Sequence, residues 1–508
     1  MTAGSNARRT LAIGLALALG AIAPACGSVG EDEPTAAQTD ESAPSTTTTS
    51  ITVRPSTSTT AAPATTTDTA PATTTTAAAP RAFEPTLSWS PCGDARCGTI
   101  TVPEDHDDPG GATTELAIAM APARAQRIGV LFVAPGGPGG SGVDLALARG
   151  GLPASIAARF DIVGIDQRGV GASGTLACAG ALEAFWPLDP SPDDAAELAD
   201  LRAGAAAFSS TCAASEGDRL ARYGTDTLVA DIEMVRRALG APQLTLHGMS
   251  YGSYTVQRYA EAHPDRVRAA VIEGVVDPGD DLTGFLATQA AAIEQALEQI
   301  LVGAGAADTY TTVAARLEQS PIDGAGPAEL ARAAALATYG PSDAEAFVAA
   351  LRRAAAGDGS GIVALDGTYH GLVDFALYTA ALCRDWEAPR DPAAWSTAVA
   401  AAEASAPMTA APTINELLPC ATWSAEAAYE PGPIDVGADA PPFLVVGNTL
   451  DPITPYDDAA GVAAAIGGSR LVTIAIPGHR RFNTNACAAT IVEGFAVDLR
   501  LPGAATTC

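Results

Sequence analysis

Positive charge is scarce in this chain: 28 Lys and Arg residues stand against 58 Asp and Glu, for a formal net charge of −30. A surface this acidic repels nucleic acid and anionic lipid, so neither is expected as a partner, and the charge reads as solvation of a soluble protein. Beyond the N-terminal segment no run approaches about 18 apolar residues, so no membrane-spanning helix is expected there. Histidine is rare, with five in all, so a histidine base has few places to sit. Cys-x-x-Cys and Cys/His clusters are missing, which argues against a zinc site. The glycine-dense stretch Gly136–Gly142 lacks the following Lys-Ser/Thr that a phosphate-binding loop needs.

The N-terminus has the form of an export signal. Arg8 and Arg9 precede an apolar stretch, Leu11 to Ala23, that is short for a bilayer, and Ala23-Pro24-Ala25 then leads to Cys26. Residues 1–26 resemble a bacterial lipoprotein signal in which Cys26 is lipidated. An ordinary cleaved secretory signal and twin-arginine export are the alternatives. Residues 27–83 are mainly Thr, Ala, Pro and Ser, too poor in apolar side chains to pack a core, which predicts a disordered, extended linker. The expected location is extracellular or in the cell envelope, touching the membrane only through a lipid on Cys26. The eight other cysteines are an even number in an exported chain, which predicts disulfides. They fall into four near-neighbour couples: Cys92–Cys97, Cys178–Cys212, Cys383–Cys420 and Cys487–Cys508. Many other pairings of eight cysteines exist, and a couple left as buried thiols is a further alternative.

From residue 84 strands and helices alternate. Ile128–Val133, Phe160–Ile165, Leu244–His247, Ala269–Ile272, Phe443–Val446 and Leu471–Ile476 are continuous apolar runs. Such runs between helical patterns predict an α/β fold with a mostly parallel sheet covered on both faces. Thr227–Leu239 predicts a helix, with Leu228, Ile232, Val235 and Leu239 on one face and Asp226 or Thr227 as its cap. From Pro278 to Pro442 the chain turns Ala-rich and helical. About 425 folded residues exceed a single core. The expected organisation is a first core part at 84–277, a helical cap at 278–442 and a second core part at 443–508.

The chemistry centres on Ser250, in Gly248-Met249-Ser250-Tyr251-Gly252, directly after an apolar strand and before a helix expected to begin near Ser253. Small residues let a strand turn sharply into a helix, which lifts the serine hydroxyl clear of the sheet. A serine nucleophile needs a base, and the base needs an orienting acid. His247 lies inside a strand, His263 at a helix end, His106 in a turn and His370 in the cap. His479 alone follows the last apolar strand, in Pro477-Gly478-His479, where loops beyond parallel strands bind ligands. With this kind of turn the acid lies between serine and histidine in the chain. Asp451, in Asn448-Thr449-Leu450-Asp451-Pro452, fits, with Thr454 as the expected N-cap of the next helix; its competing role is a turn residue before proline. Backbone N–H groups of Tyr251 and of Gly137 are the expected oxyanion donors. This chemistry calls for no metal or organic cofactor.

Six segments occur together in order: Gly-Gly-Pro-Gly-Gly-Ser-Gly at 136–142, Phe-Asp-Ile-Val-Gly-Ile-Asp-Gln-Arg-Gly-Val-Gly at 160–171, Gly-Met-Ser-Tyr-Gly at 248–252, Gly-Val-Val-Asp-Pro at 274–278, and the segments of Asp451 and His479. Over residues 86–508 the chain resembles the secreted tripeptidyl aminopeptidases, α/β hydrolases related to proline iminopeptidases. It departs from their pattern at Arg480, where a small residue is usual, and at Glu273, where aspartate is. The resemblance implies a monomeric serine exopeptidase acting on peptides with a free N-terminus. A carboxylesterase or lipase with the same triad is the alternative reading, and a catalytically dead binding protein is a third, which the intact triad order disfavours. An aminopeptidase also needs a carboxylate for the substrate ammonium. Glu273, Asp385 and Glu387 are the candidates, each with a competing role as a surface or helix-pairing acid.

Overall fold

The computed structural model describes residues 83–437 and 441–508. The expected leader with Cys26, and the Thr/Ala/Pro-rich stretch up to residue 82, lie outside the described residues. Ten strands make one sheet: β1 (Thr86–Cys92), β2 (Ala95–Pro103), β3 (Thr113–Ala121), β4 (Gly129–Ala134), β5 (Phe160–Ile165), β6 (Leu244–Met249), β7 (Val267–Glu273), β8 (Phe443–Asn448), β9 (Arg470–Ile474) and β10 (Ala505–Thr507). Their order is β1-β2-β3-β5-β4-β6-β7-β8-β9-β10. Strands β4 to β9 pair in parallel, as does β10 with β9. Strands β1 to β3 form an antiparallel meander that docks on β5. The sheet is thus mostly parallel. The β1–β2 hairpin, missing from the sequence reading, is half-exposed, so its strands lack the unbroken apolar run that marks a buried strand.

Alternation of side chains explains the apolar runs. Val130, Phe132 and Ala134 of β4, with Leu244 and Leu246 of β6, enter a core on one face. Leu131 and Val133 of β4, with Ala269 and Val271 of β7, enter a second core on the other. Helices Ala195–Glu216, Thr225–Ala238 and Tyr251–Ala262 contribute to the first core, and helix Ala486–Asp498 to the second. Between β7 and β8 the chain is helical, from Leu282–Gly303 to Ala410–Asn415. Leu297, Val313, Phe347, Leu351 and Ile362 give that region a core of its own. Four disulfides are present: Cys92–Cys97 closes the β1–β2 hairpin, Cys178–Cys212 and Cys383–Cys420 brace helical segments, and Cys487–Cys508 ties down the C-terminus.

Two caps differ from expectation. The helix read as Thr227–Leu239 runs from Thr225 to Ala238 and has no side-chain cap from its N-cap residue, Gly224. The carboxylate of Asp385, distant in sequence, instead accepts from the Thr225 N–H at 2.8 Å. Thr454 does not cap the helix after β8, which starts at Tyr456 with Pro455 in the cap position. Proline cannot cap through its side chain, and Thr454 is turned toward His479 instead, 3.4 Å from Nδ1.

Candidate active site

Sheet order places the site. Strand β4 lies between β5 and β6, so connections leave it in both directions and open a crevice at the carboxyl ends of β4 and β6. Ser250 ends β6 there. Its backbone is left-handed (φ 56, ψ −128), and the helix begins at once with Tyr251 rather than near Ser253. Such a backbone is strained for serine and persists because the surroundings fix it. Ser250 N–H donates to the Glu273 carbonyl at 2.9 Å. The two glycines of the motif allow close packing: a Cβ on Gly252 would come within 2.1 Å of the Ala134 carbonyl oxygen, and one on Gly248 within 2.4 Å of the Gly252 oxygen. Gly136 approaches Ser250 itself, since a Cβ there would stand 2.7 Å from Ser250 Cβ. Tyr251, as first residue of the helix, has an N–H with no acceptor inside the helix. Gly137 adopts φ 112, open to glycine and strained for other residues.

The structure brings Asp451 and His479 together. Both oxygens of the Asp451 carboxylate lie 2.9 Å from His479 Nδ1. The carboxylate is held by the N–H groups of Ile453 at 3.0 Å and Thr454 at 3.1 Å, and by Arg480 N–H at 3.3 Å. This turn of backbone donors, and not a helix cap, fixes the acid. Asn448 stitches the two loops together, its side-chain amide donating to the carbonyls of Ile476 and Gly478. The side chains of Asp451 and His479 are almost fully buried. His479 Nε2 has no hydrogen-bond partner among the described residues. Gly274 leaves room for the imidazole, because a Cβ there would sit 2.8 Å from its Cε1.

Ser250, Gly136, Gly137, Tyr251 and His479 line one cavity of about 520 Å³. The helical insertion supplies most of the opposite wall, including Tyr339, Tyr369, Phe375 and Tyr378. Among these aromatics lies Glu416, a residue that sequence reading missed. The Tyr369 hydroxyl donates to its carboxylate at 3.0 Å, and Tyr378 lines the same wall. Burial pushes the Glu416 carboxyl up to about 7, against the downward pull of Tyr369, of the Arg332 charge and of Tyr378. Arg332 is committed elsewhere, to Asp366 at 2.5 Å and Glu329 at 3.4 Å. The cavity wall therefore carries a carboxylate that lacks a full counter-charge. A lone Glu near Cys420 in an apolar helical stretch was the available signal, but its direction was not legible.

Comparison with known proteins follows this geometry. Residues 129–320 match the alpha/beta hydrolase fold family, and residues 406–508 match the TAP-like protein family. The tripeptidyl aminopeptidase of Streptomyces coelicolor is 30% identical over 438 residues, covering 78% of this chain and 80% of that protein. The chain belongs to the tripeptidyl aminopeptidase-like family of α/β hydrolases. Carboxylesterase B of Mycobacterium tuberculosis is also 30% identical, over 470 residues covering 84% of this chain and 90% of that protein. Serine protease Hip1 of the same bacterium is 36% identical over 227 residues, 40% of this chain and 42% of that protein. This TAP-like chain is therefore a hydrolase.

The three carboxylates singled out for the substrate ammonium do not line the cavity of this TAP-like hydrolase. Glu273 is the last residue of β7 and shares a sheet face with Val271, so its side chain enters the buried layer beneath the elbow, 3.5 Å from His247 Nε2. Asp385 is buried and braces the elbow from behind: its carboxylate meets the Tyr251 hydroxyl and the Thr225 N–H. Burial pushes that carboxyl well above the usual carboxylate range, against the Thr225 hydrogen bonds. Glu387 is exposed, and its backbone carbonyl accepts from Leu282 N–H at 3.0 Å. The cluster Cys383-Arg384-Asp385-Trp386-Glu387 thus joins the helical insertion to the core.

Proposed function

We propose that this TAP-like hydrolase is an exported serine aminopeptidase that removes residues or short peptides from free N-termini. Ser250 Oγ attacks the scissile carbonyl, and His479 takes the hydroxyl proton on Nε2. Asp451 holds the imidazole with Nδ1 protonated and offsets its positive charge. The Gly137 and Tyr251 N–H groups stabilise the oxyanion. The carbon–nitrogen bond breaks as His479 hands its proton to the leaving amine, and an acyl ester remains on Ser250. Water, deprotonated by His479, then releases the acid and restores the serine. Similarity to tripeptidyl aminopeptidase supports a three-residue product. Four disulfides support an oxidising compartment, and a lipid on Cys26 would hold the enzyme at the cell envelope.

The observation that carries the aminopeptidase reading is Glu416. A carboxylate lodged among aromatic rings is costly to keep charged, and a substrate α-ammonium placed beside it restores the missing counter-charge. A simple ester offers no cation and gains nothing there. Similarity to carboxylesterase B favours a second reading, an esterase. A hydrolysis panel separates them: free peptides should be cut at least about tenfold faster than their N-acetylated forms. Equal rates on free and blocked peptides, with faster cleavage of short-chain esters, would establish the esterase.

A further inference from the structure

The aminopeptidase reading leaves one charged group of the cavity without a task. Arg480 directly follows His479 and lines the same cavity, yet it is exposed. Its backbone is left-handed, at φ 51. A Cβ on Gly274 would crowd both His479 and Arg480 Cγ, the latter at 2.9 Å, so Gly274 makes room for both side chains. The guanidinium reaches toward the nucleophile, with Nη1 3.3 Å from the sulfur of Met249, the residue before Ser250. A thioether is a weak acceptor and leaves most of the five guanidinium donors free. No carboxylate lies within salt-bridge distance of Arg480 among the described residues. The other basic groups of the wall are occupied: Arg332 pairs with Asp366 and Glu329, and His479 with Asp451. The acids of the wall are Asp144 and Glu416. In a chain of net charge −30, an unpaired guanidinium beside the catalytic base is a local point of attraction for an anion.

We propose that Arg480 binds the α-carboxylate of the leaving residue, so that the preferred substrates are short free peptides whose last bond is the one cut. This rests on the aminopeptidase reading and extends it to the other side of the scissile bond. His479 must hand its proton to the leaving nitrogen, which puts the leaving residue against His479 and next to Arg480. In a C-terminal residue the carboxylate carbon is two bonds from that nitrogen, about 2.5 Å away. Each further residue carries the carboxylate about 3.3–3.6 Å farther off. A guanidinium resting on Met249, the residue before Ser250, therefore favours a single-residue leaving group, and its planar fork suits a carboxylate.

The test uses free alanine oligopeptides. Mass spectrometry identifies the one that loses a single C-terminal residue as leaving group, and kcat/KM is measured for that peptide and for its C-terminal amide. The acid should be preferred about tenfold, and the preference should weaken with added salt because Arg480 is exposed. Arg480→Gln should bring the acid-to-amide ratio to about one, and Arg480→Lys should keep part of it. A wild-type ratio near one, or a ratio unchanged in Arg480→Gln, overturns the proposal; the wild-type ratio needs no variant to fold. If no free peptide is cut while esters are, the aminopeptidase reading fails by itself. The same ratio is then read on acetyl esters of glycolate and glycolamide, in which the carboxylate or amide carbon stands two bonds from the leaving oxygen: a carboxylate preference that Arg480→Gln abolishes upholds Arg480 as the leaving-group anchor, and its absence refutes it.

Discussion

Replacing Glu416 by Gln keeps the shape of the side chain and removes its charge, and the two consequences pull in opposite directions. The native carboxyl is pushed by burial from about 4.5 up to about 7. The folded state thus holds the proton more tightly than the unfolded chain does. Stability falls as pH rises from about 4.5 and the loss is complete above about 7. The full linkage across that window is about 3 kcal/mol, an upper bound that screening through the cavity mouth reduces to about 1–2 kcal/mol. Glu416→Gln should therefore raise Tm at pH 8 by about 1–2 °C and leave it nearly unchanged at pH 4.5, where glutamate is itself neutral. Activity should move the other way. The preference for free over N-acetylated peptides, about tenfold or more in the wild type, should collapse toward one. Thermal unfolding at the two pH values and paired kcat/KM measurements read both effects. A variant less stable than wild type at pH 8 would make Glu416 a structural hydrogen-bond partner. An intact preference for the free amine would put the ammonium anchor elsewhere. Stability gained where activity is lost is the expected mark of a functional carboxylate.

Two further outcomes follow from the same geometry. Asp451→Asn should lower kcat on the order of 10⁴-fold with the fold retained, because the amide no longer holds the proton-bearing Nδ1 in place; near-normal kcat would mean that another acid orients His479. For free peptides, kcat/KM should climb as pH rises through about 7, where Glu416 ionises, and decline above about 8 as the substrate amine loses its proton. The decline should be missing for ester substrates, and identical profiles for the two classes would refute a charge pair at Glu416.

What the sequence determined by itself is local or ordered along the chain. The turn at Ser250 was legible because strand, small residues and helix are adjacent, and each glycine answers to a close contact within the motif or with β4. The parallel strands were legible because burial on both faces leaves continuous apolar runs. The placement of Asp451 and His479 in loops after β8 and β9 followed from chain order, since parallel strands present such loops at one end of the sheet. What tertiary structure alone decided is direction and partnership between distant segments. Glu273 looked suited to the substrate, yet its position on β7 turns it to the buried face. Asp385 sits near the elbow, but its bonds to Tyr251 and Thr225 make it a brace. Glu416 was invisible because a carboxylate acquires its character from what surrounds it, here Tyr369 and Tyr378 from other helices of the insertion. Sequence patterns report the period of an element and the order of its motifs; which face a charge meets, and whether a counter-charge is waiting there, is settled only when the helices pack over the sheet.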